Sequence, residues 1–384
     1  MGQAPDVIII GGGISGTAAA YELAKSGVRV TLIERGELHS MASGWTLAGV
    51  RQSGRHAAEL PIARAAIRRW EHLAEELDSD IEYRQDGNLR LAFSEDEVPV
   101  IQHVVDAGNA AGIPMEFISG SEKVRDLAPA ITPKVVAASL CPTDGHANNH
   151  LTVQAYARAA QRFGAEIRTG TEVTNILVEG DRVTGVQTKD ETLHAGTIIV
   201  AAGIYTPRLL TPLGLDLPLQ VVLCPVFTTE ITEPTLGPVL GVASAHFAGR
   251  QEASGRFRLI GESVPWDGEL HTASNTMPTA GQTEAMIAGA IDVLPGVRDL
   301  RVDRVWGGLI DRTPDAIPVL ERIPGIEGLV VGAGFSGHGF GIGPATGEIL
   351  ADLARTGSSS HQIEAFRLER FAAGVRQEAL QMHG

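Results

Sequence analysis

The sequence predicts an α/β unit with a mostly parallel sheet, interleaved with an α+β unit built on an antiparallel sheet. Three observations lead there. Short, continuously apolar, β-branched runs ending near glycine occur at 6–10, 197–201 and 328–331, the pattern of parallel strands buried on both faces. An Ala- and Leu-rich segment suited to a helix follows the first run directly. From about residue 217 to residue 264 the pattern changes to long alternating strands, as in an antiparallel sheet. The first pattern returns in separated pieces, so the chain is expected to weave. Residues 1–81, 145–216 and 308–384 are assigned to the first unit, and 82–144 and 217–307 to the second.

Each element has its own signal. Asp6–Ile10 reads as a strand, Ile14–Ser26 as a helix stopped by Gly27, and Val28–Glu34 as a second strand. Arg64–Leu77 places Ile67, Trp70, Leu73, Ala74 and Leu77 on one helical face. Arg90–Phe93 reads as a strand after the Asp86-Gly87-Asn88 turn, and 98–112 as a helix. Leu151–Phe163 is helical, followed by strands at 165–168 and 172–179 and a hairpin through Gly180 into Val183–Thr188. Further on, Thr283–Val293 reads as a helix, Asp299–Gly307 as a strand and 343–355 as the last long helix.

Composition narrows the function. Hydrophobic residues are 43% and charged residues 20%, the balance of a folded globular chain rather than a disordered one. A net charge of −15 repels phosphate backbones and argues against a nucleic-acid partner. Apolar runs are broken well before the ~20 residues of a membrane span. The two cysteines, Cys141 and Cys224, form no CxxC or Cys/His cluster, so neither a disulfide framework nor a metal site is expected and the cytoplasm is the default compartment.

The chemistry starts at Gly11-Gly12-Gly13-Ile14-Ser15-Gly16, between a strand and a helix. Gly11 permits the tight turn, and Gly13 lets backbone approach a pyrophosphate resting on the helix N-terminus. Gly16 allows close helix–strand packing. Glu34 ends the second strand, where an acid accepts hydrogen bonds from an adenosine ribose, with Arg35 beside it. This is a Rossmann-like dinucleotide site. A second glycine cluster, from Gly332 to Gly343, again follows a strand and opens a helix. Two backbone approaches to one long ligand fit FAD, whose isoalloxazine ring needs N–H donors at its far end. Between them, Ser43-Gly44 can continue the phosphate cradle, and Ala48, Gly49 and Val50 can pass close to a flat ring. Arg51 and Arg55 then lie near the ring edge, where a guanidinium can clamp a carboxylate. His56, His246 and His338 are further polar candidates, with His338 favoured by its glycine-rich setting. His146 and His150, flanking Asn148-Asn149, read as loop or interface residues.

These residues resemble the FAD-dependent amine and amino-acid oxidoreductases of the D-amino-acid-oxidase type, nearest to the sarcosine oxidase, glycine oxidase and hydroxyproline dehydrogenase β-type branch. The residues that carry the resemblance are the N-terminal glycines with Glu34, Ser43-Gly44 to Arg51-Gln52, Val200-Ala201-Ala202-Gly203, Thr313-Pro314-Asp315 and Gly334 to Gly339. The resemblance implies an FAD domain plus an antiparallel substrate domain. It implies that Val173 contacts the adenine side, and that Gly308, Gly334, Ser336, Gly337, His338 and Gly339 line the flavin ring.

The departures matter too. Gly308 and Thr46 stand where relatives attach the flavin covalently, so FAD is expected to be non-covalent. Gly341 and Leu259 stand where sarcosine oxidase has lysines for the substrate carboxylate and for oxygen. Loss of the latter favours an acceptor other than oxygen. The expected reaction is oxidation of the C–N bond of a small amine or amino acid to an imine, by hydride transfer to flavin N5. Two alternatives stay open: a flavoprotein subunit that needs partner chains, and oxidation of a 2-hydroxy acid.

Overall fold

The computed structural model describes residues 4–270 and 276–372. The chain opens with the expected βαβ unit: β1 (Val7–Ile10), α1 (Ile14–Lys25) and β2 (Val30–Ile33). Gly27, at φ +82°, turns the chain after α1. Next is α2 (Leu60–Leu77), which starts earlier than its apolar periodicity suggests because Pro61 fits a first helical turn. Then come β3 (Asn88–Ala92) and β4 (Ala137–Cys141). The Asn148 side chain accepts the N–H groups of His150 and Leu151 and so caps α3 (Asn149–Arg162), which leads into β5 (Glu166–Arg168). After β6 (Thr197–Val200) the chain builds β7 (Gln220–Ile231), β8 (Val239–Val242), β9 (Ala248–Gln251) and β10 (Arg256–Ile260). It closes with α4 (Ala280–Val293), β11 (Val302–Arg312), β12 (Val319–Arg322), β13 (Leu329–Ala333) and α5 (Gly339–Thr356).

The first sheet runs β12-β13-β6-β1-β2-β5. Its pairs are parallel except at the β12 edge. One face is covered by helices, with Ile14, Ala18, Trp70, Tyr156 and Ile349 in one core. The other face packs on a three-stranded sheet through Val173, Ile176, Val183 and Val186. Two helices meet almost without side chains between them. A Cβ on Gly343 would lie 2.4 Å from Ile14 Cγ1, and one on Gly347 would lie 2.3 Å from Ala18 Cβ. That close approach brings the N-termini of α1 and α5 to one end of the sheet.

The second sheet has nine strands. It departs from the sequence reading in two ways. It is mixed, because β8 pairs parallel with β3 (Val239 opposite Asn88) while its other neighbours are antiparallel. A parallel pair needs a crossover, and the excursion through the first sheet supplies it. Nor does β7 alternate: Val222–Thr229 are all buried. One face of the sheet packs on α4 through Met286, Ala290 and Val293, and the other faces a cleft. The strand expected at 299–307 continues to Arg312 as β11, paired with β7 throughout, so position 308 lies inside a strand. The last helix begins at Gly339 rather than Gly343. Pro344 favours a helix start, but it sits inside α5. The nearby Gly341 carbonyl accepts the Trp70 indole N–H at 2.7 Å.

Candidate active site

A long cleft runs from the carboxyl ends of β1 and β2 to the exposed face of the second sheet. Its first third is lined by Gly11, Gly13, Ile14, Ser15, Glu34, Arg35 and Ser43. Gly11 has φ +114°, and a Cβ there would meet the Ala201 carbonyl oxygen at 2.2 Å. Gly16 does not line the cleft; its Cβ would lie 2.0 Å from the Gly11 oxygen, so it serves helix–strand packing as expected. No side chain of α1 caps its N-terminus and its first turn carries no acid, which leaves the positive end for an anion. Ser43 Oγ accepts the Ile14 N–H at 3.0 Å and keeps its own hydrogen to donate. The Glu34 carboxylate accepts the N–H groups of Gly12 at 2.7 Å and Gly36 at 2.8 Å, which fixes its direction. Val173, Ala202 and Gly203 also line this end, where the Arg35 guanidinium stacks on the Tyr205 ring at 4.2 Å.

The middle of the cleft is formed by the early loop and the second glycine cluster. Gly49, Gly308, Ser336, Gly337 and Gly339 line it. Gly44, Ala48, Val50 and Gly334, expected at the cofactor from the sequence, are not among the lining residues. A Cβ on Gly44 would clash with the His39 carbonyl at 1.9 Å, and Ala48 is buried at φ +59°. In the 334–337 turn, Gly334, Ser336 and Gly337 all have φ between +51° and +87°. Such a turn costs energy at Ser336, and its neighbours hold it. Ser336 Oγ accepts the Thr313 N–H at 3.2 Å, and the Asp311 carbonyl accepts the Ser336 N–H at 3.0 Å. The positive end of α5 opens here, with no side-chain cap and no acid in its first turn. Asp315, in the Thr-Pro-Asp segment, holds the tail by a two-bond fork to Arg370 instead of facing the cleft.

Further along, Arg51 and Arg55 both line the cleft among other charges, Arg51 buried and Arg55 half-buried. Arg51 Nη1 donates to the Ser53 carbonyl at 3.1 Å. Arg55 Nε donates to the Arg51 carbonyl at 3.4 Å, while its buried Nη1 has no partner among the described residues. Burial, then repulsion from Arg55 and Arg90, weakens the hold of Arg51 on its proton. Two acids that sequence reasoning missed offset part of this charge. Asp144 is fully buried and accepts from the N–H groups of Gln52 at 2.8 Å and Ser53 at 3.3 Å. Glu59 is fully buried and accepts from His338 Nδ1 at 3.1 Å. Burial would raise Glu59, but His338 and Arg55 outweigh it and hold the carboxyl below its ordinary range. Burial, helped by Arg55, drives His338 down to about 4. At neutral pH His338 is therefore a neutral donor to an anionic glutamate. It is outside the residues that line the cleft, as is His56, whose Nδ1 accepts the Ala58 N–H at 3.1 Å. His246 pairs with Ser244 at 2.8 Å and His146 with Arg250 at 2.9 Å, also away from the lining.

The third missed acid is Asp311, on the cleft wall. Its Oδ2 accepts the Gly334 N–H at 2.7 Å. Burial pushes its carboxyl up to about 6, against backbone N–H groups that pull the other way. The native state holds this proton beyond the ordinary 3.8. Stability from this group is thus present at low pH and lost as pH rises through 6. Asp311→Asn, which keeps an acceptor but no charge, is expected to stabilise the fold by about 1–3 kcal/mol at pH 8 and by nothing at pH 4. Denaturant melts at the two pH values measure it. Equal gains at both would show that the carboxylate carries no burial cost.

The family model for DAO, FAD dependent oxidoreductases, matches residues 6–353. The chain belongs to the DAO family of FAD dependent oxidoreductases. FAD is its cofactor, and the glycine turns, open helix ends and fixed acid fit that group. Among relatives of this DAO-family enzyme, sarcosine oxidase subunit beta from an Arthrobacter species is 31% identical over 380 residues, covering 96% of this chain and 91% of that one. Glycine oxidase from Bacillus licheniformis is 30% identical over 378 residues, covering 95% and 97%. The crystal structure of L-proline dehydrogenase from P. horikoshii matches with a TM-score of 0.90 at 26% identity, covering 98% of this chain and all of that one.

The structure also explains two departures of this DAO-family chain. A Cβ on Gly341 would lie 2.9 Å from the Gly49 carbonyl oxygen, so no lysine fits there without moving the early loop. Leu259 is fully buried in the core beneath α4, on the sheet face away from the cleft. Among the described residues no helix is long and apolar enough to cross a membrane, and no three His, Cys, Asp or Glu side chains could hold a metal ion.

Proposed function

We propose that the enzyme oxidises the C–N bond of a small amino acid or amine bearing one carboxylate. The observation that carries this reading is the Arg51–Arg55 pair on the cleft wall, Arg51 buried and Arg55 half-buried, with the buried Nη1 of Arg55 unpartnered among the described residues. A buried cationic donor without an acceptor is costly, and a substrate carboxylate would relieve it. In this reading the N-terminus of α1, Ser43 and Glu34 hold the pyrophosphate and ribose of FAD. The 334–339 turn and the N-terminus of α5 hold the ring, and Val173 the adenine side. When bound, the flavin accepts the hydride from the substrate α-carbon.

The protein's own contribution is orientation and desolvation. Arg51 and Arg55 fix the carboxylate, which fixes the α-carbon relative to the ring site. The apolar wall formed by Trp45, Val226 and Ile260 excludes water and favours the neutral amine over the ammonium. Only the neutral amine has the lone pair that expels hydride. Hydrolysis of the released imine follows in water. Anaerobic mixing with carboxylated amines tests the reading: bleaching of the flavin near its visible maximum is expected, and bleaching by 2-hydroxy acids alone would replace it with C–O oxidation.

FAD is held without a covalent bond in this proposal. Gly308 and Thr46 both line the cleft, and neither offers a nucleophile of the sulfur or imidazole type. Acid precipitation is expected to release the yellow colour to the supernatant. Colour retained in the pellet would require another attachment residue. Activity of the purified chain with an artificial dye is expected; activity that appears only on adding partner chains would assign it to a multi-subunit dehydrogenase.

A further inference from the structure

The second sheet gives the cleft that Arg51 and Arg55 line an apolar wall. Cys224 and Val226 from β7, Ala248 from β9 and Ile260 from β10 pack as one cluster with Trp45 and Ile310. All six line the cleft. Alternate residues of adjoining strands point to one face, so the wall is continuous. Two of its positions are small: Gly308 stands cross-strand from Cys224, and Ala248 cross-strand from Ile260. Arg51, Arg55 and Asp311 also line this cleft. The Asp311 carboxylate is turned to the Gly334 amide. Arg51 already donates to the Ser53 carbonyl, and Asp144 and Glu59 offset two of the buried positive charges of Arg51, Arg55 and Arg90.

We infer that the preferred substrate is an α-amino monocarboxylate whose side chain or ring is apolar and several carbons long, seated on the Cys224–Val226–Ala248–Ile260 wall. This rests on the reading of the cleft as an amine-oxidising site and narrows it. Glycine or sarcosine would leave the wall uncovered. A second carboxylate would find its partners already offset, and a cationic side chain would meet no free acid among the described lining residues. Each methylene laid on such a wall contributes on the order of three- to fourfold to affinity.

Two series on the FAD-loaded enzyme decide it. In the first, anaerobic stopped flow measures flavin bleaching by glycine, alanine, 2-aminobutyrate, norvaline and leucine in both hands, their N-methyl forms, proline, pipecolate, aspartate and lysine. The bimolecular reduction constant is expected to rise on the order of threefold per methylene up to about four carbons. A flat or falling series, or aspartate or lysine leading it, overturns the inference. In the second, acetate to hexanoate, which carry no amine, are titrated against the flavin spectrum. The same rise in affinity is expected, and equal dissociation constants along the series overturn it. If no amine bleaches the flavin, the amine reading falls while the carboxylate series still decides the wall. Ala248→Phe is expected to reverse the order of both series by shortening the seat; an unchanged order would place the apolar contact elsewhere.

Discussion

Gly11→Ala is expected to purify colourless, with FAD affinity reduced by at least about a hundredfold, which corresponds to ~3 kcal/mol. Two costs combine. The φ of +114° is a region that L side chains rarely adopt, and the new Cβ would lie 2.2 Å from the Ala201 oxygen. Something must move, and what moves is the turn proposed to present its amides to the pyrophosphate. Each charge-assisted hydrogen bond lost there is worth about 1.5–3 kcal/mol. Gly27→Ala is the control. Gly27 has φ +82°, but nothing is within 4 Å of its Cβ position and it is outside the cleft. That variant should lose about 1 kcal/mol of stability and stay yellow. Glu34→Gln, which removes charge but keeps an acceptor, should weaken FAD by about tenfold. The measurement is fluorescence titration of apoprotein with FAD. Stoichiometric FAD in purified Gly11→Ala would remove the first glycine turn from the cofactor site.

The same residues show what a sequence can reveal. The βαβ unit was legible because its signals are local: a buried β-branched run, a helix between glycines and an acid at a strand end. The glycine turns were legible because glycine is the residue that most readily adopts their positive φ, at Gly11, Gly334 and Gly337. Glu59, Asp144 and Asp311 were not, because their roles come from long-range contacts. Asp144 reaches Gln52 and Ser53 across the interface of the two sheets, and Glu59 meets His338 only after α5 has packed on α2. A lone acid directly after the apolar run Gly307–Ile310 was the one local hint of Asp311. The parallel β3–β8 pair was hidden for a similar reason: its partners are far apart in sequence. The start of α5 was misplaced because Pro344 is a strong local signal, overruled by close packing against α1.

Arg55→Met is expected to raise KM for a carboxylated amine by about a hundredfold to ten-thousandfold, with a smaller change in kcat. Methionine keeps the length and apolar stem of the side chain and removes the donor fork, so packing is largely preserved. Two charge-assisted hydrogen bonds at about 1.5–3 kcal/mol each give that range. The effect falls mainly on KM because the carboxylate keeps its charge throughout and is bound alike before and during the reaction. Charge balance favours Arg55 over Arg51. Arg51 is tied to the Ser53 carbonyl, whereas Arg55 Nη1 has no partner in its buried position. Arg51→Met should therefore act more through the loop, lowering kcat and FAD affinity together. Glu59 supplies an internal check. It sits within electrostatic reach of Arg55 and accepts the hydrogen bond of His338, which burial and Arg55 keep neutral. Glu59→Gln removes an anion that competes with the substrate for Arg55, so KM should fall by a few-fold even as the fold is weakened by the loss of a buried charge partner. Steady-state kinetics of the three variants separate these effects. An unchanged KM in Arg55→Met, or a substrate lacking the carboxylate that performs equally well in wild type, would take the anion clamp out of the mechanism and leave the apolar wall as the sole source of substrate orientation.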